Sequence, residues 1–378
     1  MTPQETLKYF KERQNAIIDL IREIVEIESP SYDVERSKTV QLWIENEARK
    51  IGLDLAIERI AAEGYGEHLI IRAFPGDANP YFLLGHSDTV HPVSTKELNP
   101  TRFEGDKFFG CGIFDMKSGI VLMLEALRYF AETGENPSRP INIFISCDEE
   151  VGSHSGRAHL EKEAVNAEAC FILEPSAAGR VKTGRKGTGM YTVRAHGVPA
   201  HAGLEPEKGA SAILELSRQI ERLHSFNNIE AGTTVNVCTA RGGTTTNVIP
   251  EHAECTVDVR FTSMAEAARI DTAIKALEPF DERVTVSVTG DVNRPPMERT
   301  DAVAALFAKA RDVGASFGYD IGETQVGGAS DGNFVAALGV PVLDGLGVTG
   351  DGAHTLHEHI LVSDIANRAA LVTNLLMP

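Results

Sequence analysis

The stretch 141-INIFISCDEE-150 places an apolar run rich in β-branched residues directly before three consecutive acids. Its length and composition predict a buried strand, so Asp148, Glu149 and Glu150 follow where that strand should end inside the folded core. Carboxylates clustered at such a place repel one another and lose hydration, and something must offset this cost. The acids therefore indicate either bound cations or, more simply, the N-terminal cap of a following helix.

Short apolar runs and helical patterns alternate on both sides of this strand, which predicts an α/β fold with a mostly parallel sheet. Near residue 185 the pattern changes to β-α-β-β-α-β over about a hundred residues, the order of a split ferredoxin-like unit. The α/β pattern then resumes. We predict a discontinuous α/β domain made of residues 1–184 and 295–378, interrupted by a ferredoxin-like α+β insert at residues 185–294.

Composition restricts the class of partner. The 378 residues carry a net charge of −18, so association with nucleic acid or with an anionic membrane is not expected. The sequence shows neither an apolar run of membrane-spanning length nor the tripartite pattern of a signal peptide. The five cysteines are widely spaced and form no CxxC pair, which favours reduced thiols and a cytoplasmic location.

Several strand-like runs end in residues that commonly bind metals. In open α/β sheets the carboxyl ends of the strands border the binding crevice, so these side chains are expected to converge. Imidazoles combined with many carboxylates suit zinc, and an excess of carboxylates suits a pair of bridged ions. The candidates at strand ends and on glycine-flanked loops are His86, Asp88, Asp115, Glu149, Glu150, Glu174 and His354.

Each of these residues also has a simpler interpretation. A single histidine at a strand end is more often a hydrogen-bonded structural residue, and Asp148 fits a helix cap. The recurrence of ligand-type residues at strand ends and glycine-flanked loops favours a metal site. The one-piece zinc motif HExxH is absent.

The motifs together resemble the M20 metallopeptidases and their deacylase relatives. The resemblance covers nearly the whole chain and implies a di-metal catalytic domain with an inserted ferredoxin-like dimerisation domain, and hence a homodimer. It also implies a cis peptide bond between Asp115 and Met116. The motifs that carry it, in family order, are GHSDTV, GCGIFDMKSG, DEEVGS, LEPS, HAG, TNVIPEHAECTVDVR, GGASD and GAHTLHE.

The resemblance implies a ligand set for two zinc ions, for which cobalt or manganese could substitute. Asp115 would bridge the two ions. His86 and Glu174 would complete one metal site, and Glu150 and His354 would complete the other.

The resemblance also implies roles for residues that do not bind metal. Glu149 would be the general base, and Asp88 would hold the imidazole two residues before it. His201 would stabilise the oxyanion in the active site of the partner subunit. Arg260 and Asn247 would bind the substrate carboxylate, although a surface ion pair is the simpler interpretation of Arg260.

The glutamate at position 174 favours substrates with a free carboxylate beside the scissile amide, since aminopeptidases of the family tend to carry aspartate there. The leading prediction is a carboxypeptidase that releases a C-terminal amino acid such as glutamate. The alternatives are an N-acyl-amino-acid deacylase of the acetylornithine or succinyl-diaminopimelate type, and a non-catalytic member that acts as a binding protein. Cys111 departs from the usual pattern, and His357 and His359 are expected to form a surface cluster without a metal.

Overall fold

The computed structural model describes residues 1–378, which form two compact units. The first unit comprises Met1–Gly184, Arg299–Gln325 and Ser330–Pro378, and the second comprises Arg185–Glu298 and Val326–Ala329. The second unit therefore extends four residues beyond the sequence-based boundary at 294 and includes a short segment from later in the chain.

Ten α-helices are present. They are α1 (Pro3–Glu26), α2 (Val34–Lys50), α3 (Thr95–Leu98), α4 (Ser118–Thr133), α5 (Arg157–Ala164), α6 (Ala212–His224), α7 (Met264–Lys275), α8 (Asp301–Ser316), α9 (Gly332–Ala337) and α10 (Val362–Leu376).

Sixteen strands accompany these helices. They are β1 (Ala56–Ala62), β2 (Gly66–Ala73), β3 (Tyr81–His86), β4 (Arg102–Glu104), β5 (Lys107–Phe109), β6 (Ile141–Ser146), β7 (Ala169–Ile172), β8 (Val181–Arg185), β9 (Gly187–His196), β10 (Thr234–Gly242), β11 (His252–Phe261), β12 (Thr285–Arg294), β13 (Glu323–Val326), β14 (Val342–Leu343), β15 (Gly350–Asp351) and β16 (His359–Leu361).

The main sheet of the first unit has the strand order β1-β2-β6-β3-β7-β14. Strand β3 runs parallel to β6 and β7, and β14 runs parallel to β7, whereas the β1–β2 hairpin adds antiparallel pairs at one edge. Every residue of β3 is buried, as expected for a strand covered on both faces. The α/β fold class is therefore confirmed, with a mixed sheet whose centre is parallel.

The register of this sheet brings three chain segments to one edge. His86, the last residue of β3, pairs with Ser146, the last residue of β6, and Leu84 pairs with Ile172 at the end of β7. The segments that continue from these three strands therefore start side by side at the carboxyl edge.

A second, four-stranded sheet of the first unit has the order β15-β16-β5-β4. The sequence patterns did not predict it, because its strands are only two or three residues long. It pairs β16 with β5 and so connects the loop between β15 and β16 to the glycine-rich loop that follows β5.

The second unit follows the predicted order β9-α6-β10-β11-α7-β12. Its four strands are antiparallel and lie in the order β10-β11-β9-β12, the arrangement of a split β-α-β unit. Apolar residues of α6 and α7 form one core with alternate residues of the strands. The intervening strand positions, such as Met190, Arg194 and His196, are exposed.

Helix α10 completes the core of the first unit. It packs against α1, α4 and α8, and nearly all of its residues are buried. None of the helices combines the length and the apolar composition needed to cross a membrane.

Candidate active site

The carboxylate of Asp115 lies between two imidazoles. Its Oδ1 is 3.1 Å from Nε2 of His86, and its Oδ2 is 3.3 Å from Nε2 of His354. Asp115 follows the glycine-rich loop after β5, and His354 lies on the loop between β15 and β16 with a left-handed φ of 64°. The peptide bond between Asp115 and Met116 is cis, as the resemblance implied.

Each imidazole also faces one further carboxylate. Nε2 of His86 is 3.3 Å from Oε1 of Glu174, and Nε2 of His354 is 3.2 Å from Oε2 of Glu150. The five residues predicted as metal ligands are thus adjacent, in two groups that share Asp115. A separate grouping within the site brings His86, Glu149 and Glu174 together.

Asp88 connects the end of β3 to the turn that follows β6. Nδ1 of His86 is 3.0 Å from the backbone oxygen of Asp88 and 3.4 Å from its carboxylate. The same carboxylate accepts hydrogen bonds from the backbone N–H groups of Glu149 and Glu150, each at 3.2 Å, and from Ser31 Oγ at 2.8 Å. Asp88 therefore orients one imidazole and also holds the backbone of the two glutamates.

The three acids of residues 148–150 have different environments because the strand ends before them, at Ser146. Glu149 and Glu150 lie in a short 3-10 turn, Glu149–Val151. Asp148 accepts hydrogen bonds from Ser155 N at 2.7 Å and from Ser155 Oγ at 2.8 Å. The side chain of Asp148 therefore fixes the following loop and makes no capping hydrogen bond to the 3-10 turn that begins after it.

A residue that the sequence analysis missed holds the loop before Asp115. The fully buried carboxylate of Glu358 accepts hydrogen bonds from the backbone N–H groups of Gly112 at 2.7 Å and of Phe114 and Asp115 at 2.9 Å each. Its Oε2 is also 2.7 Å from Nε2 of His91. The acid in the HTLHEH segment was the available signal, but only the fold shows what it contacts.

Mutual hydrogen bonding controls the charges in this cluster. Burial disfavours the charged form of His86, but hydrogen bonds to three carboxylates outweigh burial and raise the pKa of His86 well above its usual range. Hydrogen bonds to Asp115 and Glu150 raise the pKa of His354 to about 10. For Asp115, burial is outweighed by hydrogen bonds from His354 and His86, which lower its pKa. The cluster thus favours positive charge beside its carboxylates.

The donor set fits bound divalent cations. Five carboxylates surround two imidazoles, an excess of acid that two divalent ions would neutralise. The buried Oε1 of Glu150 has no hydrogen-bond partner, and burial raises the pKa of Glu150 despite the hydrogen bond from His354. A cation beside this carboxylate would pair with the free oxygen. It would also stabilise the charged form of Glu150 and so lower the pKa that burial raises.

The remaining predicted site residues lie in the second unit. His201 is exposed, and the segments that carry His201 and Asn247 are joined by a backbone hydrogen bond from Ala202 N to Asn247 O of 2.9 Å. Arg260 lies on β11 and forms a two-pronged ion pair with Asp258 through Nε at 2.9 Å and Nη2 at 2.8 Å. Arg260 thus forms an ion pair, which was the simpler of the two interpretations of this residue from the sequence.

Two of the less regular positions are buried. Burial raises the pKa of Cys111 to about 11, so this thiol is not activated. His359 is also buried, its Nδ1 is 2.8 Å from the backbone oxygen of His357, and its ring lies against Phe109. The prediction that His357 and His359 form a surface cluster is therefore wrong for His359, because strand β16 carries it into the small sheet.

An α/β fold whose parallel strands end at a shared cluster of carboxylates and imidazoles defines the chain as a hydrolase of the metallopeptidase class. The sequence model described as peptidase family M20/M25/M40 matches residues 82–377, and the chain belongs to this family.

Known relatives include both peptidases and deacylases. Carboxypeptidase G2 of Pseudomonas sp. is 28% identical over 378 residues, covering 97% of this chain and 90% of the relative. Succinyl-diaminopimelate desuccinylase of Alkalilimnicola ehrlichii is 29% identical over 345 residues, covering 84% and 87%. The structure of aminopeptidase PepT from Bacillus cereus has a TM-score of 0.82 at 24% identity and covers 96% of this chain and 98% of that one, a likeness that concerns the fold alone.

Proposed function

We propose that this hydrolase is a di-zinc enzyme that cleaves an amide bond next to a free carboxylate and releases a C-terminal amino acid such as glutamate. The observation that carries the proposal is the position of Asp115, whose two carboxylate oxygens each face a different imidazole. A carboxylate in this position suits the bridging of two ions.

The proposed ligands follow the two groups in the site. Asp115 is shared, His86 and Glu174 complete one set, and Glu150 and His354 complete the other. Zinc suits this mixture of imidazole and carboxylate, and cobalt or manganese would also be accepted. When bound, the ions would polarise the scissile carbonyl and increase the acidity of water.

The remaining chemistry belongs to protein side chains. Glu149, which is buried in the 3-10 turn, takes a proton from the attacking water and passes it to the leaving nitrogen. Addition of water to the carbonyl forms a C–O bond, and the C–N bond of the resulting tetrahedral oxyanion then breaks, giving a carboxylic acid and an amine. Asp88 is a positioning residue, because it holds the backbone of Glu149 and the ring of His86.

The second unit supplies the proposed substrate contacts. In a homodimer, His201 stabilises the oxyanion that forms in the active site of the partner subunit. Asn247 and Arg260 bind the substrate carboxylate. The guanidinium of Arg260 suits this role because its five donors exceed the two that Asp258 uses. The substitution Arg260→Lys should raise KM more than it lowers kcat, because it weakens binding of the substrate carboxylate.

The proposed homodimer is tested separately, by measuring the molar mass of the protein in solution with light scattering.

A peptide substrate is supported by the name of the relative carboxypeptidase G2 and by the glutamate at position 174. The net charge of −18 argues against nucleic acid and anionic membranes as partners. The five free cysteines support a cytoplasmic location.

The test of the mechanism is the substitution Glu149→Gln. It should abolish hydrolysis while the zinc content stays that of the wild type, because the base is lost and the ligands are kept. The matched control is Glu97→Gln, at an exposed position outside the cluster. Near-wild-type turnover in the Glu149 variant would contradict the proposal.

The second candidate function is N-acyl-amino-acid deacylation, which the desuccinylase relatives favour. A panel of N-acetyl and N-succinyl amino acids, assayed beside α- and γ-glutamyl peptides, separates the two activities. A non-catalytic binding role would be supported only if the zinc-loaded protein hydrolysed no compound of the panel.

A further inference from the structure

The second unit carries a cluster of imidazoles and a carboxylate that the proposed reaction does not use. His196 at the end of β9 and His252 at the start of β11 are directly opposite each other in the antiparallel ladder. Glu251 precedes His252, and its carboxylate lies 3.7 Å from Nε2 of His196 and 3.6 Å from Nε2 of His252. We refer to these three residues as the His196–Glu251–His252 cluster.

The backbone brings the two imidazoles close together. Gly197 N donates a hydrogen bond of 2.7 Å to the carbonyl oxygen of Glu251, so His196 and His252 form a non-hydrogen-bonded pair of the ladder. Side chains are closer in this class of pair than in the other. Gly243 N donates to the carbonyl oxygen of His252 at 3.0 Å, so the strand that carries His252 is held from both sides.

The ring positions suit a shared ion. Nδ1 of His196 is 3.0 Å from Nδ1 of His252, and the ring centroids are 4.6 Å apart. Two nitrogens bound to one tetrahedral zinc ion are about 3.3 Å apart, given zinc–nitrogen bonds of about 2.0–2.1 Å. One ligand atom from each of the three residues lies within 4.8 Å of the others. The nitrogens nearest each other are the Nδ1 atoms, whereas those nearest the carboxylate are the Nε2 atoms, so binding of one ion by all three residues requires the side chains to rotate.

The cluster is exposed to solvent, and the carboxylate of Glu251 is not paired with an arginine or lysine side chain. The side chains of His196 and His252 are 53% and 71% exposed, and they line a cavity of about 670 Å³. The nearby Arg194 and Arg241 both form ion pairs with Glu254. The side chains within ion-pairing distance of the Glu251 carboxylate are those of His196 and His252, so this carboxylate is available to balance a cation.

We propose that the His196–Glu251–His252 cluster binds one divalent transition metal ion, such as Zn²⁺, Ni²⁺ or Cu²⁺, in the second unit. Imidazole nitrogen with one carboxylate is the ligand chemistry that these ions prefer, whereas Mg²⁺ and Ca²⁺ prefer oxygen. The competing interpretation is a hydrogen bond between two neutral imidazoles, which would require no metal. The two interpretations differ in the metal content of the protein.

Equilibrium dialysis of the full chain against buffered free Zn²⁺ tests the proposal. The double substitution His196→Ala/His252→Ala should bind one ion fewer than the wild type, and the control His224→Ala, at an exposed position on α6, should bind as many as the wild type. Because the readout is a difference between variants, it does not depend on how many ions the first unit holds. Equal binding by the wild type and the double variant would overturn the proposal.

A second variant separates the ligand role from a general effect of removing rings. Glu251→Gln keeps both imidazoles and should weaken the additional Zn²⁺ binding by at least about 10–100-fold, because removing a direct ligand should cost no less than removing a group that only supports one. Titration with Co²⁺ should add visible absorption bands in the wild type that the double variant lacks. Unchanged affinity in Glu251→Gln together with identical Co²⁺ spectra would also overturn the proposal.

Discussion

At the scale of single residues, carboxylates near one sheet edge differ in what they contact. Asp148 accepts hydrogen bonds from Ser155, whereas Asp88 accepts from the backbone of Glu149 and Glu150. Asp115 faces two imidazoles through different oxygens. The same chemical group is thus a loop anchor, a positioning residue and a proposed ion bridge, according to the donors around it.

Asp88 provides a test of positioning. In Asp88→Asn an amide NH₂ replaces one of the oxygens that accept backbone N–H groups, so the orientation of His86 and of the two glutamates should be disturbed. We expect zinc affinity to fall by about 10–100-fold, as for other groups that support metal ligands. Competition with a chromophoric chelator measures this, with Asp77→Asn, at an exposed loop position, as the control. Unchanged zinc affinity would show that Asp88 does not support the ligands.

At the scale of elements, the small sheet β15-β16-β5-β4 brings together two loops that are distant in sequence. One carries Asp115 and the other carries His354. Glu358, immediately before β16, holds the first loop through three backbone N–H groups. The position of the proposed bridging carboxylate therefore depends on a strand pairing of three residues.

Replacing Glu358 tests this dependence. Glu358→Gln keeps the shape but places an NH₂ group against backbone donors, which leaves buried groups unsatisfied. We expect the free energy of unfolding to fall by about 1–3 kcal/mol. Zinc affinity should fall with it, because the backbone of Asp115 is held less firmly. Urea unfolding and zinc titration check both effects against Glu97→Gln. A variant with wild-type stability and zinc affinity would rule out the positioning role.

Gly119 marks the close approach of α4 to the end of β7. A Cβ atom there would overlap the carbonyl oxygen of Leu173, next to the proposed ligand Glu174. Alanine normally stabilises a helix relative to glycine by about 1 kcal/mol, but here the overlap should dominate and Gly119→Ala should destabilise the protein. Thermal unfolding measures the sign, and Gly327→Ala, where a Cβ meets no atom, is the control. Stabilisation by Gly119→Ala would contradict the structure.

At the scale of the whole molecule, the chain leaves the α/β unit near residue 185 and returns to it at residue 299. His354 and Glu358 are therefore encoded after the second unit, although they complete a site that begins at His86. The first unit cannot assemble this cluster until its last segment has folded against β5.

Metal binding should stabilise the first unit, because cations offset the repulsion among its clustered carboxylates. Zinc at a hundred times its Kd should add about 2.7 kcal/mol to the free energy of unfolding. Removal of metal by a chelator should accordingly lower the Tm in calorimetry. His86→Ala, which lacks a proposed ligand, should show a smaller decrease, and an equal decrease in both proteins would contradict the assigned ligand set.

Much of the fold and of the candidate site could be predicted from local patterns. Long periodic segments such as α1 and α10 and buried strands such as β3 and β6 have strong apolar signals. The ligand-type residues at strand ends indicated a metal site before any distance was known. The two-residue strand β15 and the burial of His359 could not be predicted, because pairing with distant segments determines them.

The sequence by itself determined the α/β class, the inserted β-α-β-β-α-β unit and the residues that converge at the carboxyl edge, because apolar periodicity and ligand-type residues are local properties. Only the tertiary structure decided which oxygen of Asp115 faces which imidazole, that Glu358 holds its loop and that His196 lies opposite His252. These relations depend on strand register and loop packing between segments up to hundreds of residues apart. Such long-range contacts leave no local pattern in the chain.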